Sequence, residues 1–158
     1  MEVYFLRHAH AEDAHDKVPD VQRQLTERGI QHTRRLARCL KELGVAPDRL
    51  YTSPLVRANQ TADIVSAAID ITVQVRQELA PGFNLAGLQT LIRDLRQDDC
   101  LMIVGHEPDF SRVIGDFIGG GRVIMKKGGL ARIDVTGFQP LRGELMWLLN
   151  PKVISLIG

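Results

Sequence analysis

At 158 residues, with 44% hydrophobic and 25% charged side chains, the chain has the make-up of one ordinary globular domain large enough to bury a core. A formal charge of +1 gives no electrostatic case for nucleic acid or an anionic membrane as the main partner. The two cysteines, Cys39 and Cys100, form no CxxC, so neither a redox pair nor a zinc knuckle is indicated. No signal peptide and no membrane-length apolar run is visible, and the cytoplasm is the expected location.

The first predicted element is a short buried strand, Val3 to Leu6, which stops at Arg7-His8 with His10 and His15 close behind. A polar loop follows, from Ala11 to Gln24. Thr26 is placed to cap a helix whose apolar residues, Ile30, Thr33, Leu36, Ala37, Leu40 and Leu43, recur at helical spacing until Gly44. "DRLYTS" reads as a second strand, and Ser53-Pro54 as the N-cap and first residue of a second helix. "ITVQV" alternates as a strand, "LAGLQTLIRDL" is helical, and "CLMIV" is a continuous apolar strand of the kind a parallel sheet buries on both faces. A helical stripe, Phe110 to Ile118, ends at three glycines, and "GGLARIDV" and "GELMWLLN" form an antiparallel pair around a turn near Gly137 and Pro140. Strands alternating with helices predict an α/β fold: a three-layer α/β/α sandwich, mostly parallel, with a C-terminal antiparallel hairpin.

In open α/β sheets, ligands sit beyond the carboxyl ends of the strands. Three of those ends carry Arg7-His8, Arg57 in "TSPLVRANQTA", and His106 after Gly105. If the strands are neighbours, two arginines and two histidines converge. Two guanidiniums match a tetrahedral oxyanion, and the start of the second helix adds free N–H groups. No carboxylate cluster is available there for a divalent metal, so the pattern suits phosphate without metal or other cofactor. A neutral imidazole can attack phosphorus directly, and nearby arginines oppose its protonation.

"LRHAHA", "TSPLVRANQTA" and "VGHEPDFS", in that order, resemble the histidine phosphatase superfamily, also called phosphoglycerate mutase-like. With "LTERG", "KKGGLARIDV" and "GELMWLLNPK", the chain most resembles the SixA-type phosphohistidine phosphatase branch, over nearly its whole length. The resemblance implies a single histidine phosphatase domain over residues 1–158. It implies His8 as nucleophile, with Arg7, Arg57 and His106 holding the phosphoryl group. Ala9 stands where the superfamily carries glycine, and a small geometric change is expected from it. Glu78 is the best-placed general acid by analogy, ahead of Glu107, Glu12 and Asp13, although a solvated loop carboxylate is the plainer reading. Glu107 suits a helix cap.

The expected substrate is a phosphorylated protein carrying phosphohistidine, with inorganic phosphate as product, no nucleic acid or membrane partner, and a monomeric enzyme. A leaving imidazole, with a conjugate-acid pKa of roughly 6.5, needs little acid assistance. A small phosphorylated substrate, such as a sugar or nucleotide phosphate, is the alternative. A metallohydrolase using His8, His10 and His106 and a non-catalytic phosphate-binding module are the remaining readings. His10, His15 and His32 are expected on polar surface and Trp147 in the core; Lys126 and Lys127 read equally as an ordinary charged loop or as a rim for an acidic protein surface.

Overall fold

The computed structural model describes residues 1–157. Six strands form one sheet: β1 (Glu2–Arg7), β2 (Arg49–Thr52), β3 (Val73–Val75), β4 (Cys100–Gly105), β5 (Leu130–Phe138) and β6 (Leu141–Leu149). Their order is β3-β2-β4-β1-β5-β6. β1, β2, β3 and β4 pair in parallel; β5 runs antiparallel to β1, and β6 to β5. The expected sheet and its closing hairpin are therefore present.

Among the described residues, five helices cover the two faces: α1 (Glu27–Glu42), α2 (Val56–Ile69), α3 (Leu85–Ile92), α4 (Asp109–Phe117) and α5 (Pro151–Ile157). Side chains alternate along a strand, so β1 feeds both cores. Val3 and Phe5 pack with Leu88 and Leu91 of α3 and Phe110, Val113 and Phe117 of α4. Tyr4 and Leu6 pack with Leu36 and Leu40 of α1, Ala58, Ala62 and Val65 of α2, and Ile154 of α5. β4, buried from Leu101 to Gly105, lies between β2 and β1 and contributes to both layers. Trp147 lies at the edge of the second core, edge-on to Tyr4 at 5.7 Å between ring centroids.

Thr26 caps α1 as expected, accepting from the Gly29 N–H at 3.2 Å. The second helix differs. It begins at Val56 with Leu55 at the N-cap, not at Ser53-Pro54. The Ser53 hydroxyl still accepts the Leu55 N–H, at 3.3 Å, but it closes a turn ahead of the helix because its oxygen is also engaged by a histidine described below. α5 was not foreseen: seven residues are too few for an apolar period to declare itself. Among the described residues, no helix is long and apolar enough to cross a membrane.

Candidate active site

Strand register assembles the site. Arg7 of β1 lies opposite Gly105 of β4, so the next residue of each chain, His8 and His106, emerges side by side. The His8 N–H donates to the Gly105 carbonyl at 3.0 Å, and the imidazole centroids are 5.3 Å apart. Thr52 of β2 lies opposite Val104, and Ser53 donates its N–H to the Val104 carbonyl at 3.0 Å. That places Ser53 on the other side of His106, and Arg57, in the first turn of α2, reaches back to His8. All four residues singled out at strand ends meet at the carboxyl edge of the sheet.

His8 and His106 are 6% and 4% exposed, and Arg57 5%. His8 Nδ1 is 2.8 Å from the carbonyl oxygen of Ala9. A carbonyl can only accept, so Nδ1 carries the proton and Nε2 keeps its lone pair. Arg57 Nε–H donates to that Nε2 at 3.3 Å. Burial, followed by His106, Arg57 and Arg7, pushes the His8 imidazole down to about 3, against the Ala9 bond that favours the cation. Burial, then Arg57 and Arg7, pushes His106 down to about 4, against the pull of Asp20. Both rings are neutral at pH 7.

Ser53 orders His106. Its Oγ lies 2.6 Å from His106 Nε2 and already accepts the Leu55 N–H. The hydroxyl donates to Nε2 in the tautomer protonated at Nδ1 and accepts from it in the other. Among the described residues, His106 Nδ1 is buried without a partner, and so is Nε of Arg7. Buried polar atoms left unmatched are costly, and here two of them stand in one pocket with Nε2 of His8. Arg7 is held by donation from a terminal guanidinium nitrogen to the Met125 carbonyl at 2.8 Å. Arg57 donates to the Asp20 carbonyl at 2.8 Å and pairs with its carboxylate at 3.3 Å. Burial raises the Asp20 pKa, but Arg57 and Arg23 outweigh it and hold the carboxyl below its usual range.

Ala9 has no positive φ; Asp70 is the sole non-glycine residue with one among those described. Its N–H donates to Thr61 Oγ1 at 3.3 Å, and its methyl packs with Ala11 and Leu25. Alanine therefore fits without strain. Glu78 lies in the 3-10 turn Gln77–Leu79 after β3, and its carboxylate is taken by Arg76 at 2.8 Å. That bond lowers its pKa and opposes proton donation. Glu107 accepts the Ser111 N–H at 2.9 Å, a cap on α4 as anticipated.

Sequence reasoning missed Asp20, Ser53 as the partner of His106, and Thr61. Thr61 had a signal, since it stands one turn after Arg57 on α2. His32 also differs from expectation: it is half-buried, with Nε2 3.3 Å from the Gly128 carbonyl, because α1 leans on that loop. Among the described residues, no three His, Cys, Asp or Glu side chains are grouped as metal ligands are.

The pocket gathers two guanidiniums and two neutral imidazoles at one sheet edge, a set of groups that fits a tetrahedral oxyanion. The model of the histidine phosphatase superfamily (branch 1) matches residues 3–82, and the chain belongs to that superfamily and is a phosphatase. It is 37% identical to a protein of unassigned function from Picosynechococcus sp. PCC 7002, over 96% of this chain and 98% of the relative. It is 27% identical to the phosphohistidine phosphatase SixA of Escherichia coli, over 96% of this chain and 94% of the relative. The structure of a protein histidine phosphatase SixA complexed with tungstate superposes with a TM-score of 0.86 at 22% identity, covering 96% of this chain and 98% of that one.

Proposed function

We propose that this phosphatase, read as one domain over residues 1–158, works without a metal through a phosphohistidine at His8 and removes phosphate from phosphohistidine in a protein. The observation that carries the reading is the pocket's set of polar atoms: a neutral His8 with Nε2 unprotonated, beside two buried nitrogens, Arg7 Nε and His106 Nδ1, that nothing among the described residues satisfies. Phosphoryl oxygens would satisfy both.

In the first step the lone pair of His8 Nε2 forms a bond to phosphorus as the P–N bond of the substrate breaks; its electron pair stays on the departing nitrogen, and the substrate ring, protonated from solvent on its other nitrogen, leaves as neutral imidazole. The Ala9 carbonyl stabilises the positive charge that spreads to Nδ1–H. Arg57 Nε–H, which reaches Nε2 at 3.3 Å, passes to a phosphoryl oxygen as phosphorus takes its place. Arg7 Nε–H and His106 Nδ1–H bind the other oxygens, where charge develops. In the second step water attacks phosphorus, His8 Nε2 leaves with the electron pair of the P–N bond, and inorganic phosphate departs.

With Glu78 held ionised by Arg76, the plainest leaving group is one that leaves as a neutral, protonated imidazole. The likeness to the Escherichia coli SixA protein supports the same substrate. The experiment is rapid quenching with 32P-labelled phosphohistidine protein. Acid-labile, base-stable label should appear on His8 and be absent from His8→Ala. Full turnover by His8→Ala, or kcat/KM higher for sugar phosphates than for the phosphohistidine protein, would overturn the corresponding half of the reading.

A further inference from the structure

A second feature opens beside the catalytic pocket. Arg7 and His10 form one side of an open groove of about 900 Å3. Its cationic side chains are Arg7, Arg28, Arg35, Lys126, Lys127 and Lys152, and no Asp or Glu lines it. The whole chain carries 20 Lys and Arg against 19 Asp and Glu, so this wall is a local segregation of charge.

Three separate elements build it. Arg28 and Arg35 are seven residues apart on α1, hence on one helix face, about 10 Å along the axis. Lys126 and Lys127 come from the loop before β5, and Lys152 from α5. The loop is anchored: Gly128 N–H donates to the carbonyls of Arg7 and His8, and its φ of +75° with a would-be Cβ 2.5 Å from His32 demands glycine there. None of Arg28, Arg35, Lys126, Lys127 and Lys152 forms an ion pair among the described residues. All five are exposed.

We infer that this groove receives an acidic face of the phosphorylated protein, next to its phosphohistidine. The inference rests on the substrate reading above for its choice of a protein. The character of the groove supports that choice over a second phosphate on a small substrate. Chelating a small anion takes buried, pre-ordered donors, as Arg57 and the buried Nε of Arg7 supply in the catalytic pocket. Exposed, unpaired cations spread over three elements suit instead long-range attraction of a broad acidic surface, felt mostly in the association rate.

The test is fluorescence anisotropy with fluorescein-labelled poly-L-glutamate, independent of any turnover. The variant is Arg35→Glu/Lys152→Glu. The control is Arg34→Glu/Arg38→Glu, the same charge change at exposed α1 residues outside the groove. Wild type and control should bind, and the groove variant should bind about tenfold more weakly or worse, with a shallower salt dependence. On a phosphohistidine protein with an acidic surface, kcat/KM should fall by a similar factor through KM alone. Equal weakening in groove variant and control, or no binding by wild type, would overturn the inference. So would tighter binding of an oligothymidylate of equal length, or a loss confined to turnover of a sugar bisphosphate. Poly-glutamate binding at the groove without phosphohistidine turnover would leave the acidic docking face standing and refute the substrate reading instead.

Discussion

Acidification should weaken this protein in a window set by its buried imidazoles. The folded-state pKa values of His8 and His106 lie at about 3 and about 4, below the ordinary histidine value of about 6.5. A proton therefore binds the unfolded chain in preference. The stability is complete above about pH 6.5 and is lost as the pH falls toward the folded values. At pH 5 each ring costs RT ln(1 + 10^1.5), about 2 kcal/mol, so the pair costs about 4 kcal/mol. For a chain of this size that lowers Tm by roughly 8–16 °C. His32, lowered by burial and then by Arg35 and Arg28, adds to the fall in the same window. The carboxylates of Asp20 and Glu78, lowered by their arginine partners, add little in this window, because the unfolded chain takes up carboxylate protons only as the pH approaches about 4. The measurement is urea unfolding of wild type, His8→Asn and His106→Asn at pH 7.5 and pH 5. Asparagine can still donate to the Ala9 carbonyl but does not titrate. Each variant should lose about 2 kcal/mol less than wild type between the two pH values. Equal losses in wild type and His8→Asn would mean that His8 titrates like an exposed histidine, and the neutral-nucleophile argument would fall with it.

Other expectations follow from single contacts. Ser53→Ala removes the hydroxyl bonded to His106 Nε2; kcat should fall about tenfold with KM little changed, and the 15N shifts of His106 should change as that bond is lost. Arg57→Lys loses the side-on N–H to His8 together with the hold on Asp20, and kcat should drop by about 10²–10³ in steady-state assays while vanadate binding weakens. Gly29→Ala would set a Cβ 2.1 Å from the backbone oxygen of His10, so the start of α1 must shift; about 1–3 kcal/mol of stability should be lost in denaturant titration. Ala9→Gly should leave kcat within about twofold, since the backbone there needs no glycine, and should lower Tm through lost packing and a more flexible unfolded chain.

How much of this was written in the linear chain can be judged residue by residue. Arg7, His8, Arg57 and His106 were legible because each follows an apolar run short enough to be a strand, and an α/β sheet has one functional edge. Helix caps of local origin, such as Thr26 on α1, were legible for the same reason: donor and acceptor are three residues apart. Ser53 was misread as a cap because its real partner, His106, is 53 residues away and reaches it only through the pairing of β2 with β4. Asp20, in a polar loop without period, meets Arg57 only because the loop folds back across the mouth of the site.

By itself, then, the amino-acid order determined the alternation of strands and helices, the placing of two arginines and two histidines at strand ends, and their kinship with phosphate-handling proteins. Only the tertiary structure decided the register that sets His8 against His106, the burial that keeps both rings neutral, and the gathering of α1, the loop before β5 and α5 into one basic wall. Local order reads from a few neighbouring residues. Register, desolvation and charge segregation depend on groups far apart in the chain, and those meet only when the sheet closes.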